Sequence, residues 1–460
     1  MLFTEFSFLI FFVVAFGVHW LLPWHGARKL WLLACSYGFY AGWDWRFLGL
    51  ILASTVIDYF VGRRLEGERA TSERRFLLTL SLGGNLGMLG VFKYYDFFVE
   101  SAVAALASAG VEVSVESLGL ILPVGISFYT FQTLAYTIDV YRGRLEPERS
   151  LVVFGLYVAW FPQLVAGPIE RAGAMLPQFH APRVVDERRI AEGAVLILIG
   201  LVRKVVIADN AARFADPVFA SPGDYGAGGL ALGALFFALQ IYGDFSGYSD
   251  IARGTSKLFG IELRINFDQP YFSTSLAEFW RRWHISLGAW LRDYLYIPLG
   301  GSHGTRLVTA RSLMLTMLLG GLWHGAAWTF VAWGALHGVG LAVHRAWSSS
   351  RRLPTLVGWA LTMSVVGIGW ILFRAPDFGT AWLFLTRMFS AAEGLGAPWQ
   401  AAAALVLLVL AIDVPQARSR DHLVWLRWPW WLRGAVYAAA VLVLVVWPSP
   451  VRATFLYFQF

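Results

Sequence analysis

Gly320-Gly321-Leu322-Trp323-His324-Gly325-Ala326-Ala327-Trp328 lies inside an apolar run that covers residues 313–343 and holds Trp333 and His337 further on. Such a run is membrane-spanning in kind, and hydrocarbon offers the ring nitrogens of a histidine no water. An ionisable group at that depth faces a protein interior or a cavity, and it is a candidate for function. Two readings of His324 stay open: a hydrogen-bonded histidine between packed helices, or a reactive group. The glycines beside it remove side-chain bulk, which leaves room for a substrate or for a helix that breaks. On an unbroken helix Trp328 shares the face of His324, whereas His337 falls about 220° around it. Trp323 and Trp328 are therefore expected as walls of a site at His324, and His337 as a structural residue.

The composition places that stretch in a membrane. Of 460 residues, 57% are hydrophobic and 15% charged, with a mean hydropathy of +0.58. This excludes a soluble domain. It fits an all-α polytopic membrane protein, read as one domain over 1–460, with room for about ten to twelve crossings of roughly 20 apolar residues each. The net charge of +7 is read as Lys/Arg-rich cytoplasmic loops in preference to nucleic-acid binding. The single cysteine, Cys35, excludes an internal disulfide and a Cys-rich metal site, and its apolar neighbours describe a buried, inert thiol. His, Asp and Glu occur without metal-ligand spacing, so neither a metal nor a bound cofactor is expected.

Taken in order, residues 6–22 form the first span rather than a cleaved signal, because further apolar runs follow. Residues 30–39 and 47–61 are near or below spanning length, so one is expected to be tilted or re-entrant. Arg63, Arg64, Arg69, Arg74 and Arg75 give the strongest positive-inside signal, which sets this loop in the cytoplasm and the N-terminus outside. After the span 76–92 and an outer connection at 102–119, the span 120–141 carries Pro123, Gly125, Ser127, Thr130, Gln132, Thr133 and Asp139. Those polar side chains need partners. The run 190–208 follows a span at 151–165 and is interrupted by Arg203 and Lys204, which can snorkel to an interface if they lie near an end of it. Asp244 and Asp250, close to membrane depth, need cations; Arg203, Lys204 and Arg253 are the candidates.

Residues 275–296 differ in kind. Ser275 and Glu278 have capping-box spacing. Trp280, Trp283, Leu287, Trp290 and Tyr294 recur at three and four residues, with Arg281, Arg282 and Arg292 on other faces. The pattern predicts one amphipathic helix in the membrane interface, with His284 at the border of its apolar stripe. Four more apolar runs, 356–373, 378–388, 401–412 and 434–446, complete the bundle. The aromatic tail 455–460 is expected to pack in the membrane or against a partner.

Several of these blocks together resemble the membrane-bound O-acyltransferase family, in particular its bacterial polymer-modifying branch. They are Leu122-Pro123-Val124-Gly125-Ile126-Ser127-Phe128-Tyr129-Thr130-Phe131-Gln132, Phe161-Pro162-Gln163-Leu164-Val165-Ala166-Gly167-Pro168-Ile169, and Tyr242-Gly243-Asp244-Phe245-Ser246-Gly247-Tyr248-Ser249-Asp250. Further ones are Glu278 to Leu287 with Arg292 to Gly301, Gly321-Leu322-Trp323-His324-Gly325, and Tyr457-Phe458-Gln459-Phe460. Gly288-Ala289 departs from relatives that often carry two hydroxyl residues there. The resemblance implies a multi-helix bundle around a funnel or tunnel, with the family's histidine at His324 and its second polar signature position at His284. It implies acetyl transfer from a cytoplasmic thioester, acetyl-CoA, to an exported polysaccharide such as alginate. Transfer would be direct or through a periplasmic partner, in the bacterial inner membrane. Gln132, Asp244, Arg281, Arg282, Trp323 and Trp328 are the expected substrate contacts, the arginines toward donor phosphates. The alternatives are peptidoglycan, teichoic acid or a lipid as acceptor, or a transporter. No internal repeat supports the transporter.

Overall fold

The computed structural model describes residues 3–67, 70–164, 167–348, 353–450 and 454–456. Within them the secondary structure is helical, without a strand. The chain falls into two units, residues 1–190 with 256–263, and residues 191–255 with 264–460. Five helical stretches among the described residues are long and apolar enough to cross a membrane: His25–Arg64, Thr71–Ser108, Ala227–Leu258, Thr355–Arg374 and Trp399–Ser419.

The first unit is built from α1 (Phe6–Leu21), α2 (His25–Asp44), α3 (Leu48–Arg64), α4 (Thr71–Leu89), α5 (Tyr95–Ser108), α6 (Ile126–Tyr141), α7 (Leu151–Ala159), α8 (Phe161–Leu164) and α9 (Ala172–His180). The helix α2 extends well beyond the apolar run 30–39, whereas α3 is close to the run 47–61; together they form the 40-residue apolar stretch His25–Arg64. Most of the polar side chains of α6 find partners, with the Thr130 hydroxyl an exception among the described residues. Thr137 donates to the buried carboxylate of Asp58 at 2.8 Å, as does Asn85 at 2.7 Å. Ser81 completes the set around Asp58. A carboxylate out of water needs such donors. Gln132 donates to the Tyr157 carbonyl and accepts from Gln163 at 3.0 Å, which ties α6 to α7 and α8.

The second unit continues with α10 (Glu187–Leu201), α11 (Asp209–Ala220), α12 (Ala227–Leu258), α13 (Leu276–Arg282), α14 (Ile285–Leu291), α15 (Arg306–His324), α16 (Trp328–Ser348), α17 (Thr355–Arg374), α18 (Phe378–Met388), α19 (Trp399–Ser419) and α20 (Trp430–Val446). Between α10 and α11 the chain is a π-helix, Val202–Ala208, and it holds Arg203 and Lys204. Both are buried, so neither snorkels. Arg203 instead pairs with Asp250 and Asp413, each at 2.8 Å, and Lys204 pairs with Asp209 at 2.8 Å and Asp244 at 2.7 Å. Arg253 also reaches Asp250, at 2.9 Å. The expected cation partners are thus all engaged, and the interior position removes the need for an interface.

Phe455 and Leu456, the described part of the tail, pack against the chain itself. Phe455 stands 4.3 Å from the Tyr248 ring, and the Leu456 N–H donates to Asp244 at 2.8 Å. Residues 457–460, Arg69 of the basic loop, and Val165 and Ala166 lie outside the described residues.

Candidate active site

Two interruptions of helix build the site. The first falls within the segment expected as one amphipathic helix over 275–296. The Ser275 half of its capping box forms, its hydroxyl accepting from the Glu278 N–H at 3.2 Å, while Glu278 accepts from the N–H of Thr274, one residue further back, at 2.8 Å. The helix then stops at Arg282. His284 takes the left-handed conformation at φ 45°, and α14 starts after it. That conformation is costly for a residue with a Cβ and persists where surroundings impose it. Here an extended neighbour does so, through hydrogen bonds from the Asp268 N–H to the Arg282 carbonyl and from the Ile285 N–H to the Asn266 carbonyl, both 2.9 Å. The apolar stripe faces protein rather than lipid, since Trp283 and Leu287 are each 1% exposed.

Asn266 fixes the imidazole that this turn presents. Its Oδ1 accepts from the Ser286 N–H at 3.1 Å, from the Ser286 hydroxyl at 2.9 Å and from His284 Nδ1 at 3.3 Å. The Ser286 N–H can only donate, so the amide orientation is set and His284 carries its proton on Nδ1. Nε2 is then the acceptor nitrogen. Phe245 closes edge-on against the ring at 4.7 Å. Nearby Asp268 has its carboxyl held below the usual range by the hydrogen bond from His422, 3.5 Å away.

The second interruption is at His324. It is the last residue of α15, and Gly325 leaves the helix in extended conformation. The paired helices expected over 313–343 are α15 and α16, joined by residues 325–327. A Cβ on Gly321 would lie 2.2 Å from the Phe330 carbonyl, and one on Gly334 would lie 2.3 Å from the Met317 carbonyl. Small residues let the two backbones touch, as membrane helix pairs often do. The glycines on this side of His324 therefore serve the close approach of the two helices. Because the helix ends, Trp328 does not share the face of His324: it opens α16 and is 53% exposed.

The two histidine rings meet at 6.4 Å between centroids, both buried. Around His324 stand Trp323 at 5.0 Å, Trp333 at 5.1 Å and Phe373 at 5.4 Å. Trp323 also reaches His284, at 6.2 Å. Such walls keep water away from the imidazoles and strengthen any polar contact made there. Of the expected substrate contacts, Trp323 joins the histidines. Asp244 is engaged by Lys204 and Leu456. Gln132 belongs to the polar core of the first unit. Arg281 is exposed, and Arg282 pairs with Glu278 at 2.7 Å. Sequence reasoning missed Asn266, Trp333 and Phe373. The pattern Ile265-Asn266-Phe267, a lone amide between apolar residues, was the one available signal for Asn266.

The chain is similar to known proteins over most of its length. Residues 149–374 match the model of MBOAT, the membrane-bound O-acyltransferase family, and so include both histidines. The chain is 47% identical over 396 residues to the probable alginate O-acetylase AlgI of Azotobacter vinelandii, covering 85% of this chain and 78% of that protein. It is 44% identical over 395 residues to the protein of the same description from Pseudomonas aeruginosa, covering 85% and 75%. It is 38% identical over 418 residues to the peptidoglycan O-acetyltransferase of Helicobacter pylori, covering 84% and 77%.

Proposed function

Since this chain belongs to the membrane-bound O-acyltransferase family and is an acyltransferase, we propose that it moves an acetyl group from a cytoplasmic thioester, acetyl-CoA, to a hydroxyl of an exported polysaccharide such as alginate. The transfer runs directly or through a periplasmic partner, from the bacterial inner membrane. The observation that carries this reading is the buried pair His284 and His324, 6.4 Å apart in an aromatic enclosure.

In the proposed mechanism His324 acts as general base, a role suited to imidazole. It takes the proton of the acceptor hydroxyl as that oxygen attacks the thioester carbonyl. The tetrahedral intermediate then expels the thiolate, which leaves with the proton from His324. The alternative role for His324 is transient acyl carrier. His284, oriented by Asn266, holds its Nε2 lone pair toward the reacting groups and steadies the imidazole of His324 or the acceptor hydroxyl. Trp323 walls both rings. Arg281, exposed beside the site helix, meets donor phosphates at the cytoplasmic face.

Peptidoglycan is the second acceptor reading, supported by the likeness to the Helicobacter pylori enzyme. The test is to feed labelled acetate to cells that carry the whole modification system, with either the parent chain or His324→Ala at equal protein level. Label in the polymer that vanishes in the variant supports the reading, and its identity names the acceptor. Unchanged labelling in the variant contradicts it.

A further inference from the structure

A hollow of about 480 Å³ opens between α12, α17 and α19 in the second unit. Small-molecule sites run from roughly 300 to 1,000 Å³, so it is large enough to hold a ligand. Small residues make the room. Ala234 and Ala238, four apart on one face of α12, line it, as does Gly367 of α17. A Cβ on Gly367 would meet no atom within 4 Å, so the space there is open.

The polar groups on its lining are largely engaged already. The Tyr271 hydroxyl donates to the Ala238 carbonyl at 2.6 Å, and the Trp359 indole donates to the Tyr271 carbonyl at 2.9 Å. Asp413 accepts from Arg203 at 2.8 Å and from Tyr242 at 2.7 Å. Among the described lining side chains this leaves the buried Trp370 indole N–H. A buried water takes roughly two to four polar partners, so the hollow does not suit one. Left empty, it would deny its walls their dispersion contacts.

The walls belong to helices long and apolar enough to cross a membrane, Ala227–Leu258, Thr355–Arg374 and Trp399–Ser419. The hollow is continuous with their outer surface, because Leu235, Trp359 and Leu410 on its lining are exposed. The medium that meets such a surface is hydrocarbon. One lining residue also reaches the candidate active site. Trp370 stands 4.8 Å from Trp283, the residue before His284, and 5.7 Å from Phe373, which touches His324.

We propose that this hollow binds one acyl chain of a membrane lipid, and that the chain braces Trp370 and, through it, the turn that carries His284. A hydrocarbon tail asks for no hydrogen bond, fills the void with close contacts and enters sideways from the bilayer. Trp370 is here a positioning residue, set between the tail and the ring of Trp283.

The test places the full-length chain in nanodiscs with a phosphatidylethanolamine whose acyl chain carries a diazirine. Photolabelling at Met363, on the lining, should exceed that at Leu442, on the exposed face of α20, by about tenfold, equivalent to about 1.4 kcal/mol of preference. Gly367→Leu puts its own hydrocarbon into the hollow and should bring the two sites to parity. In detergent, added phosphatidylethanolamine should slow amide exchange over residues 276–291 in the parent and leave it unchanged in Gly367→Leu. Equal labelling of Met363 and Leu442 in the parent overturns the proposal. That is the result if the hollow takes bulk lipid only, or a helix of a partner protein. Labelling that Gly367→Leu leaves unchanged overturns it too, and exchange in the parent that ignores lipid overturns the bracing. Should Gly367→Leu fail to fold, the labelling ratio in the parent decides by itself. None of these readouts uses acyl transfer, so they stand apart from the proposed reaction.

Discussion

His284 and His324 both stand where a helix stops, yet the two turns hold their imidazoles by different means. At His284 the means are directional. A left-handed residue, two backbone hydrogen bonds and the Asn266 amide set the ring and its tautomer. At His324 the means are steric. A close helix hairpin sets the backbone, and Trp323, Trp333 and Phe373 surround the ring. One imidazole is thereby fixed in its protonation pattern. The other is fixed in place by the rings and the backbone around it. This division matches a positioning group beside a base, and it can be tested from either side.

The largest effect should come from the reacting ring. His324→Ala should lower acyl transfer by about 10²- to 10⁴-fold, the usual contribution of a general base. His284→Ala should cost about 10- to 100-fold, as expected for a lost hydrogen bond to a charged group. Rate measurements on chains at equal membrane level check both, and a reversed order would exchange the two roles.

Backbone packing gives the next contrast. Gly321→Val should separate α15 from α16, since its Cβ alone would lie 2.2 Å from the Phe330 carbonyl. The matching change in the other turn, Gly288→Ala, meets its nearest atom at 3.5 Å and should be tolerated. Detergent melting curves should show the first chain unfolded or absent and the second within about 0.5 kcal/mol of the parent. Equal behaviour would mean that both turns are held alike.

Asn266→Ala should destabilise by about 1–3 kcal/mol, because the Ser286 N–H loses its acceptor. It should also slow transfer by loosening His284, which Phe373→Leu at the other turn should not do. Smallest is Arg281→Ala, with a rise of a few-fold in donor KM that shrinks as salt is added.

Much of this fold could be read from the chain. Apolar runs located most helices, and the carboxylates near membrane depth announced the ion pairs that Arg203 and Lys204 make. The glycines around His324 announced a hairpin. What escaped were features set by tertiary contacts. The break at His284 is imposed by an extended neighbour, and a periodic stripe runs through it without a sign. Trp328 moved off the site because α15 ends one residue after Trp323, which helical spacing could not foresee. Asn266 is separated from His284 by a loop and a helix, so no local pattern joins them.

The central claim is that His324 drives acyl transfer. The most direct measurement places the purified chain, beside His324→Ala, in liposomes with acetyl-labelled CoA and the exported partner, and follows thioester loss and label transfer. The account predicts loss and transfer that depend on His324. Equal thioester loss and transfer in the two chains would contradict it.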